Sequence, residues 1–61
     1  MRQRLIDSLC AMFNEYHGNE TTPNWLLCLH DMSSDEMLIA RMANWQANYP
    51  ELWQRHGIYV M

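Results

Sequence analysis

The tightest constraint on this chain is the sequence MSSDEM, residues 32–37, because it marks where a helix must begin. Ser33 can cap a helix N-terminus while Glu36 reaches back to it, and the two methionines that bracket this sequence can form a hydrophobic staple. The acidic residues of the first turn also suit the positive end of the helix dipole. The pattern predicts a helix over residues 34–48. Pro50 ends it, because the residue before a proline avoids the helical region.

Apolar residues recur at helical spacing near the start of the chain and predict a first helix over residues 2–17. Its stripe consists of Leu5, Leu9, Met12, Phe13 and Tyr16. Gly18 suits a left-handed C-terminal cap, and residues 18–23 are rich in turn formers and predict a loop. Near the other end, residues 50–56 predict one further helical turn. We expect residues 57–61 to form a tail that packs on the core.

The segment NWLLCLHD, residues 24–31, is the ambiguous part of the chain. Thr22 followed by Pro23 could cap a short helix. Eight residues with apolar character on both faces also fit a buried strand, and the sequence pattern alone does not separate the two. We predict a strand, with Trp25, Leu27 and Leu29 on one face and Leu26, Cys28 and His30 on the other.

A lone strand would leave backbone donors and acceptors unpaired, and pairing with the same strand of a second copy would satisfy them. The composition points the same way, since 49% of a 61-residue chain is hydrophobic and so small a domain has little interior. The predicted fold is therefore a small α-rich α+β domain over residues 1–61. Its helix–strand–helix protomer carries a short C-terminal turn and tail, and forms an intertwined homodimer through an intermolecular two-stranded antiparallel pair. An all-α fold remains the alternative.

Two surfaces follow from this prediction. The dimer interface is predicted to comprise Trp25, Leu26, Leu27, Cys28, Leu29, Leu9, Phe13, Leu38 and Met42. A cleft that could accept an amphipathic helix from a host or phage protein is predicted to comprise Met12, Met37, Trp45, Tyr49 and Trp53. Methionine-lined surfaces adapt to varied ligands, and tryptophan and tyrosine often anchor interfaces. Protein–protein recognition is thus the leading class of function.

The charge pattern argues against nucleic acid and membranes as partners. The net charge is −3 with only four basic residues, whereas nucleic-acid binding depends on clustered cations. The runner-up function is nevertheless a dimeric nucleic-acid-binding transcriptional regulator. It would use the arginines and the polar face of the second long helix, which are Arg2, Arg4, Arg41, Arg55, Asn44, Gln46 and Asn48. No stretch approaches the ~20 apolar residues needed to span a bilayer, and we expect a cytoplasmic protein.

Neither metal binding nor catalysis is predicted. A structural zinc site needs four converging ligands, usually in close pairs, and Cys28 with His30 is the only close pair. The second cysteine, Cys10, lies in an apolar stretch and is predicted to be a reduced core thiol. The serines of residues 32–37 are explained by capping, and so small a chain has little room for an active-site pocket. We therefore predict a non-enzymatic protein without cofactors.

With these elements in order, the chain resembles the very small early proteins of lambdoid temperate phages. It is most similar to the open-reading-frame-sixty-three type, encoded between the recombination exonuclease and excisionase genes. The resemblance spans essentially the whole chain, including NWLLCLHDMSSDEMLIARMANWQ, and rests on size, order of elements and sequence character. It implies a dimer with two helices and one strand per protomer. It also implies an accessory regulatory role that favours lytic development in a bacterial host, and no catalytic residues.

Overall fold

A computed structural model describes residues 1–58 and shows four helices joined by short connections. They are α1 (Arg2–His17), α2 (Asn24–Asp31), α3 (Asp35–Asn48) and α4 (Pro50–His56). No strand is present within these residues. The predicted α+β fold is therefore wrong, and so is the intermolecular strand pair built on it. The all-α alternative describes the fold.

Residues 24–31 are helical because their backbone groups find partners within the chain. The carbonyl of Pro23 accepts hydrogen bonds from the N–H groups of Leu26 and Leu27 at 3.1 and 3.2 Å, which starts α2. Leu26 and His30 lie one turn apart and are both buried, so one face of the helix packs inward. A helix leaves no unpaired strand edge, which removes the backbone argument for strand pairing.

The other helices begin and end close to where the sequence predicts. Both α1 and α4 have the predicted bounds, and Gly18 caps α1 in the left-handed region at φ 70°. The N-cap of α3 is Ser34, whose Oγ accepts a hydrogen bond from the N–H of Met37 at 3.3 Å. The predicted cap at Ser33 is therefore wrong by one residue. The predicted staple does not form either, because Met32 is 87% exposed.

The C-terminal segment leaves α4 in an extended conformation rather than through a left-handed cap. Gly57 has φ −70° and ψ 161°, and a Cβ there would collide with the side chain and carbonyl of Trp53. Glycine is needed at this position for close approach. Ile58 is half-buried against the core, as the packed-tail prediction expects. The rest of that predicted tail, residues 59–61, lies outside the described residues.

One copy of the chain forms a closed core. The first helix packs against each of the other three helices, and α3 also packs against α4. The buried apolar residues are Leu5, Ile6, Leu9, Cys10, Met12, Leu26, Leu38, Met42 and Leu52. The radius of gyration is 10.8 Å, close to the roughly 10.5 Å expected of a compact 61-residue domain. A single chain is thus as compact as an ordinary folded monomer.

Candidate functional site

The most unusual surface of the molecule is the outward face of α2. Trp25, Leu29 and Met32 are 59%, 44% and 87% exposed, and Cys28 is exposed beside them. Their positions follow the i, i+3, i+4, i+7 spacing of one helix face. We call these four residues the outer stripe. Leu26 and His30 occupy the inward face of α2, which the rest of the chain covers. The helix therefore carries apolar side chains on both its inward and its outward face.

Arg2 fastens the C-terminal end of α2 to the start of α1. Its guanidinium donates hydrogen bonds to the backbone carbonyls of His30, Asp31 and Ser33 at 3.1, 2.8 and 2.5 Å. It also pairs with the Asp35 carboxylate at 2.7 Å. The last carbonyls of a helix have no partners within it, and a cation there complements the helix dipole. These contacts hold α2 and the following turn in place.

A second arginine, Arg41, contacts the same turn after α2. The Arg41 guanidinium donates to the Ser33 hydroxyl at 2.6 Å, and that hydroxyl donates in turn to the Leu29 carbonyl at 2.6 Å. Another Arg41 contact reaches His30 Nδ1 at 3.3 Å. Burial, and secondarily the Arg41 charge, lowers the pKa of His30 below its usual value. The buried site therefore favours the neutral form of the imidazole.

Trp25 is oriented by the first helix. Its ring meets Phe13 edge to face, with ring centroids 5.6 Å apart, a favourable arrangement for an aromatic pair. Phe13 also contacts the His17 ring, with centroids 4.3 Å apart and ring planes tilted by 43°. More than half of the Trp25 surface still faces outward, so the stripe presents a large, partly fixed aromatic group.

The structure separates the predicted dimer interface into two groups. Leu9, Leu26, Leu38 and Met42 are only 1%, 4%, 0% and 5% exposed, because they form the core of one copy. Within one chain these four side chains are covered by the chain's own helices, so the dimer-interface assignment stays a prediction. Phe13 is half-buried beside them. The remaining predicted residues are exposed on α2, namely Trp25, Leu27, Cys28 and Leu29.

The predicted partner cleft is not formed as one surface. Met12 is fully buried, so it cannot line an open cleft, while Met37 is 51% exposed in the first turn of α3. Trp45 and Tyr49 pack on each other and on Tyr16. A hydrogen bond with Tyr16 raises the pKa of Tyr49. These two rings therefore belong to an aromatic cluster between helices.

Trp53 instead lines a separate groove of about 530 Å³. The residues that line this groove are Met1, Leu5, Ile39, Met42, Ala43, Gln46, Trp53 and Ile58. Its lining is largely apolar and includes the core residue Met42. Of the five residues of the predicted cleft, only Trp53 contributes to this groove.

Most of the cations are engaged in contacts within the chain. Arg2 and Arg41 hold the turn after α2, and Arg55 pairs with the Glu15 carboxylate. The exposed first turn of α3 carries Asp35 and Glu36. Three of the four arginines named for the runner-up function are thus engaged in internal contacts, and the acidic first turn of α3 disfavours contact with phosphates.

The cluster of Glu15, Arg55 and His56 ties α4 to the end of α1. Arg55 and His56 both contact the Glu15 carboxylate, the latter at 2.9 Å. Their hydrogen bonds, Arg55 first, lower the pKa of Glu15 to about 2. Ser8 adds a hydrogen bond from its hydroxyl to the His56 carbonyl at 2.5 Å. Each member is accounted for by holding the two helices together.

Among residues 1–58, no group of three or more histidine, cysteine or acidic side chains is placed to hold a metal ion. Of the two cysteines, Cys10 is buried and Cys28 is exposed. Burial raises the pKa of the Cys10 thiol. Within the described part of the chain, none of the helices combines the length and the apolar character that crossing a membrane requires.

Comparisons with known proteins found no family model, no curated protein and no solved structure that matches this chain. Sequence reasoning identified three of the four outer-stripe residues as interface residues but missed Met32. The signal that could have found it is the i, i+3, i+4, i+7 spacing of residues 25, 28, 29 and 32, which a strand interpretation of the segment conceals. The role of Arg2 depends on contacts about thirty residues away in sequence and has no local signal.

Proposed function

We propose that this protein is a non-enzymatic accessory regulator that acts by binding protein chains through the outer stripe. The observation that carries the proposal is four adjacent apolar side chains exposed on a helix that is held firmly to the core. Contiguous exposed apolar patches mark interaction sites in soluble proteins. A rigid support lowers the entropy that must be lost when such a surface is covered.

The composition of the stripe fits a protein partner. Trp25 and Met32 are residue types enriched at the centres of interfaces, where charged residues are depleted. The stripe contains no charge, and the charged residues nearest to it in sequence are acidic, Asp31 and Asp35. An uncharged apolar centre favours a partner that presents an apolar helix face.

The regulatory context is supported by the resemblance to small early proteins of lambdoid phages. Under this proposal the protein binds a component of the host or phage regulatory machinery and favours lytic development. Binding rather than chemistry is the proposed mode of action, since each titratable cluster of the described residues has a structural explanation.

Photo-crosslinking in living bacteria tests this proposal. A benzophenone amino acid replaces Met32, which is 87% exposed, and in a matched control it replaces Gln54, which is exposed on α4. We expect discrete protein adducts from position 32 and none from position 54. Those adducts should disappear when Leu29→Glu places a charge within the stripe. Equal adducts from both positions, or adducts that persist with Leu29→Glu, would overturn the proposal.

A further inference from the structure

The imidazole of His30 is buried on the inward face of α2 and contacts α3 through an arginine. His30 is only 4% exposed, and a guanidinium nitrogen of Arg41 lies 3.3 Å from its Nδ1. A guanidinium has five N–H donors and no acceptor, so Nδ1 must accept this hydrogen bond and carries no proton. The ring proton is therefore assigned to Nε2, and the contact exists only with the neutral imidazole.

A second proton on this ring would find no counter-charge at the site. Among residues 1–58, the charged groups that contact His30 from the neighbouring helices are both cations. They are Arg41 of α3 at the ring and Arg2 of α1 at the backbone carbonyl, 3.1 Å away. The Asp35 carboxylate pairs with Arg2, the Asp31 side chain is exposed, and within the described chain neither forms an ion pair with the imidazole.

Protonation of His30 therefore sets two cations against each other in a buried place. Burial, followed by the Arg41 charge, lowers the pKa of the imidazole, in the direction that this geometry requires. Among the described residues the other buried titratable side chain is the Cys10 thiol, and its raised pKa keeps it uncharged. Because none of these groups offsets the new charge, the imidazole and the guanidinium must move apart.

That movement would disturb the connection between α3 and the end of α2. The Arg41 nitrogen that faces the imidazole also donates to the Ser33 hydroxyl at 2.6 Å, and that hydroxyl donates to the Leu29 carbonyl. With only eight residues, α2 is too short to be stable as an isolated helix, so it depends on contacts with the rest of the fold. Weakening those contacts lowers the free energy needed to open this segment alone.

We propose that protonation of His30 opens the C-terminal half of α2 locally, so that the outer stripe is held firmly near neutral pH and loosely in mild acid. This inference rests on the proposed function, because it describes the regulation of the same surface. Cys28, Leu29 and Met32 lie in or directly after that half of the helix. In mild acid a partner would have to order these residues before covering them, which weakens binding.

Amide hydrogen exchange in the purified chain, measured by NMR, tests this opening. Protection factors, which correct for the pH dependence of intrinsic exchange, are compared at pH about 7.5 and about 5.5, on either side of the ordinary histidine pKa. We expect residues 27–33 to be less protected than the middle of α3 at both pH values, because α2 opens without the rest of the fold. Their protection should fall by up to about tenfold between the two, the most that uptake of one proton allows over this range.

Two matched variants assign the effect to one histidine. His30→Asn removes the titration while its amide oxygen can still accept from Arg41, and it should abolish the fall in protection. His17→Asn removes an exposed histidine and should leave the fall unchanged. Protection of residues 27–33 equal to that of α3, or a fall that persists in His30→Asn, would overturn the proposal.

Nitrogen NMR of the unaltered chain gives a test that does not depend on whether His30→Asn folds. The His30 ring should carry its proton on Nε2 near pH about 7.5, and it should take up the second proton over the same pH range in which residues 27–33 lose protection. A proton on Nδ1 near neutral pH would overturn the proposal, because Arg41 could not then donate to that atom.

Photo-crosslinking from position 32 keeps this outcome apart from that of the proposed function. If the exchange experiment fails while position 32 still gives protein adducts, only the regulation by His30 is wrong. If α2 opens as expected while position 32 gives no adducts, the proposed function is wrong and the acid-dependent opening stands as a property of the helix.

Discussion

Replacing Arg2 with glutamine should destabilise the protein well beyond the effect of losing one surface charge. The guanidinium makes hydrogen bonds to three backbone carbonyls and to the Asp35 carboxylate, with distances between 2.5 and 3.1 Å. A glutamine side chain is shorter, is uncharged and cannot donate to all of them at once. The α2 C-terminus and the start of α1 would lose their common anchor.

The magnitude can be estimated from the contacts. A hydrogen bond to a charged group contributes about 1.5–3 kcal/mol when it is shielded from water. The Arg2 side chain is 37% exposed and Asp35 is 71% exposed, so water replaces much of what is lost and the ion pair itself contributes little. We expect a total loss of about 2 kcal/mol. For a domain of this size that corresponds to a fall in Tm of about 10 °C.

Thermal and urea unfolding followed by circular dichroism measure this loss. The matched control is Arg4→Gln, which removes the same charge two residues further along the chain. The Arg4 side chain is exposed and forms no hydrogen bond or ion pair in the described part of the chain. Arg2→Lys keeps the charge but cannot reproduce the forked contacts, so it should recover only part of the loss. If Arg2→Gln and Arg4→Gln were equally stable, the anchoring role of Arg2 would be refuted.

Three further predictions concern the core and the titratable groups. Leu38→Ala removes a fully buried side chain and should lower the free energy of unfolding in urea by about 3 kcal/mol. Leu27→Ala changes a 43% exposed position and should lower it by less than about 1 kcal/mol. Similar losses for the two variants would contradict the assigned packing. Because the pKa of His30 is lowered in the folded state, the unfolded chain takes up the proton first, and the free energy of unfolding should decrease as pH falls below about 6.5. His30→Asn should flatten that part of the profile, and an unchanged slope would exclude His30 as its source. Because the pKa of Glu15 is lowered to about 2 in the folded state, the carboxylate stabilises the fold at pH values above its unfolded pKa of 4.5. This stabilisation is lost as pH falls from 4.5 toward 2. Glu15→Gln should remove this acid-dependent loss of stability, and a retained loss would contradict the assignment.

Three of the four helices could be predicted because their signals are local. The stripe of α1 repeats over four turns, Gly18 marks its end, and Pro50 separates α3 from α4. Even the one-residue error at the α3 cap is local in origin, since Ser33 and Ser34 are adjacent candidates. Ser33 is recruited instead by Leu29 and Arg41, and the second contact depends on the folded arrangement of α3.

The α2 segment could not be assigned for a physical reason. Eight apolar-rich residues are too few for the helical period to emerge, and apolar side chains on both faces fit a buried strand equally well. Its helical state depends on Arg2 at its C-terminal end and on the burial of Leu26 and His30, which are properties of the tertiary structure. The strand prediction also conceals the outer stripe, because strand faces group alternate residues whereas the outer stripe groups residues one turn apart.

The assumption that two copies are needed to bury the apolar residues was also only partly useful. Leu9, Met12 and Leu38 are fully buried within one chain, so the core does not require a second copy. Among the described residues, half of the large apolar side chains that stay exposed lie on α2 and the turn that follows, and the others are Met1, Tyr16, Met37 and Ile39. A count of apolar residues can indicate that some must remain exposed, but it cannot indicate which ones.

Alkylation of the two cysteines over a range of protein concentrations tests the central claim most directly. The account predicts that in dilute solution Cys28 reacts rapidly with iodoacetamide while the buried Cys10, whose thiol pKa is raised, is protected by the folded core. Protection of Cys28 even at the lowest concentration would mean that α2 is buried in an obligate assembly. Equal reactivity of Cys10 and Cys28 would mean that the single-chain core does not exist.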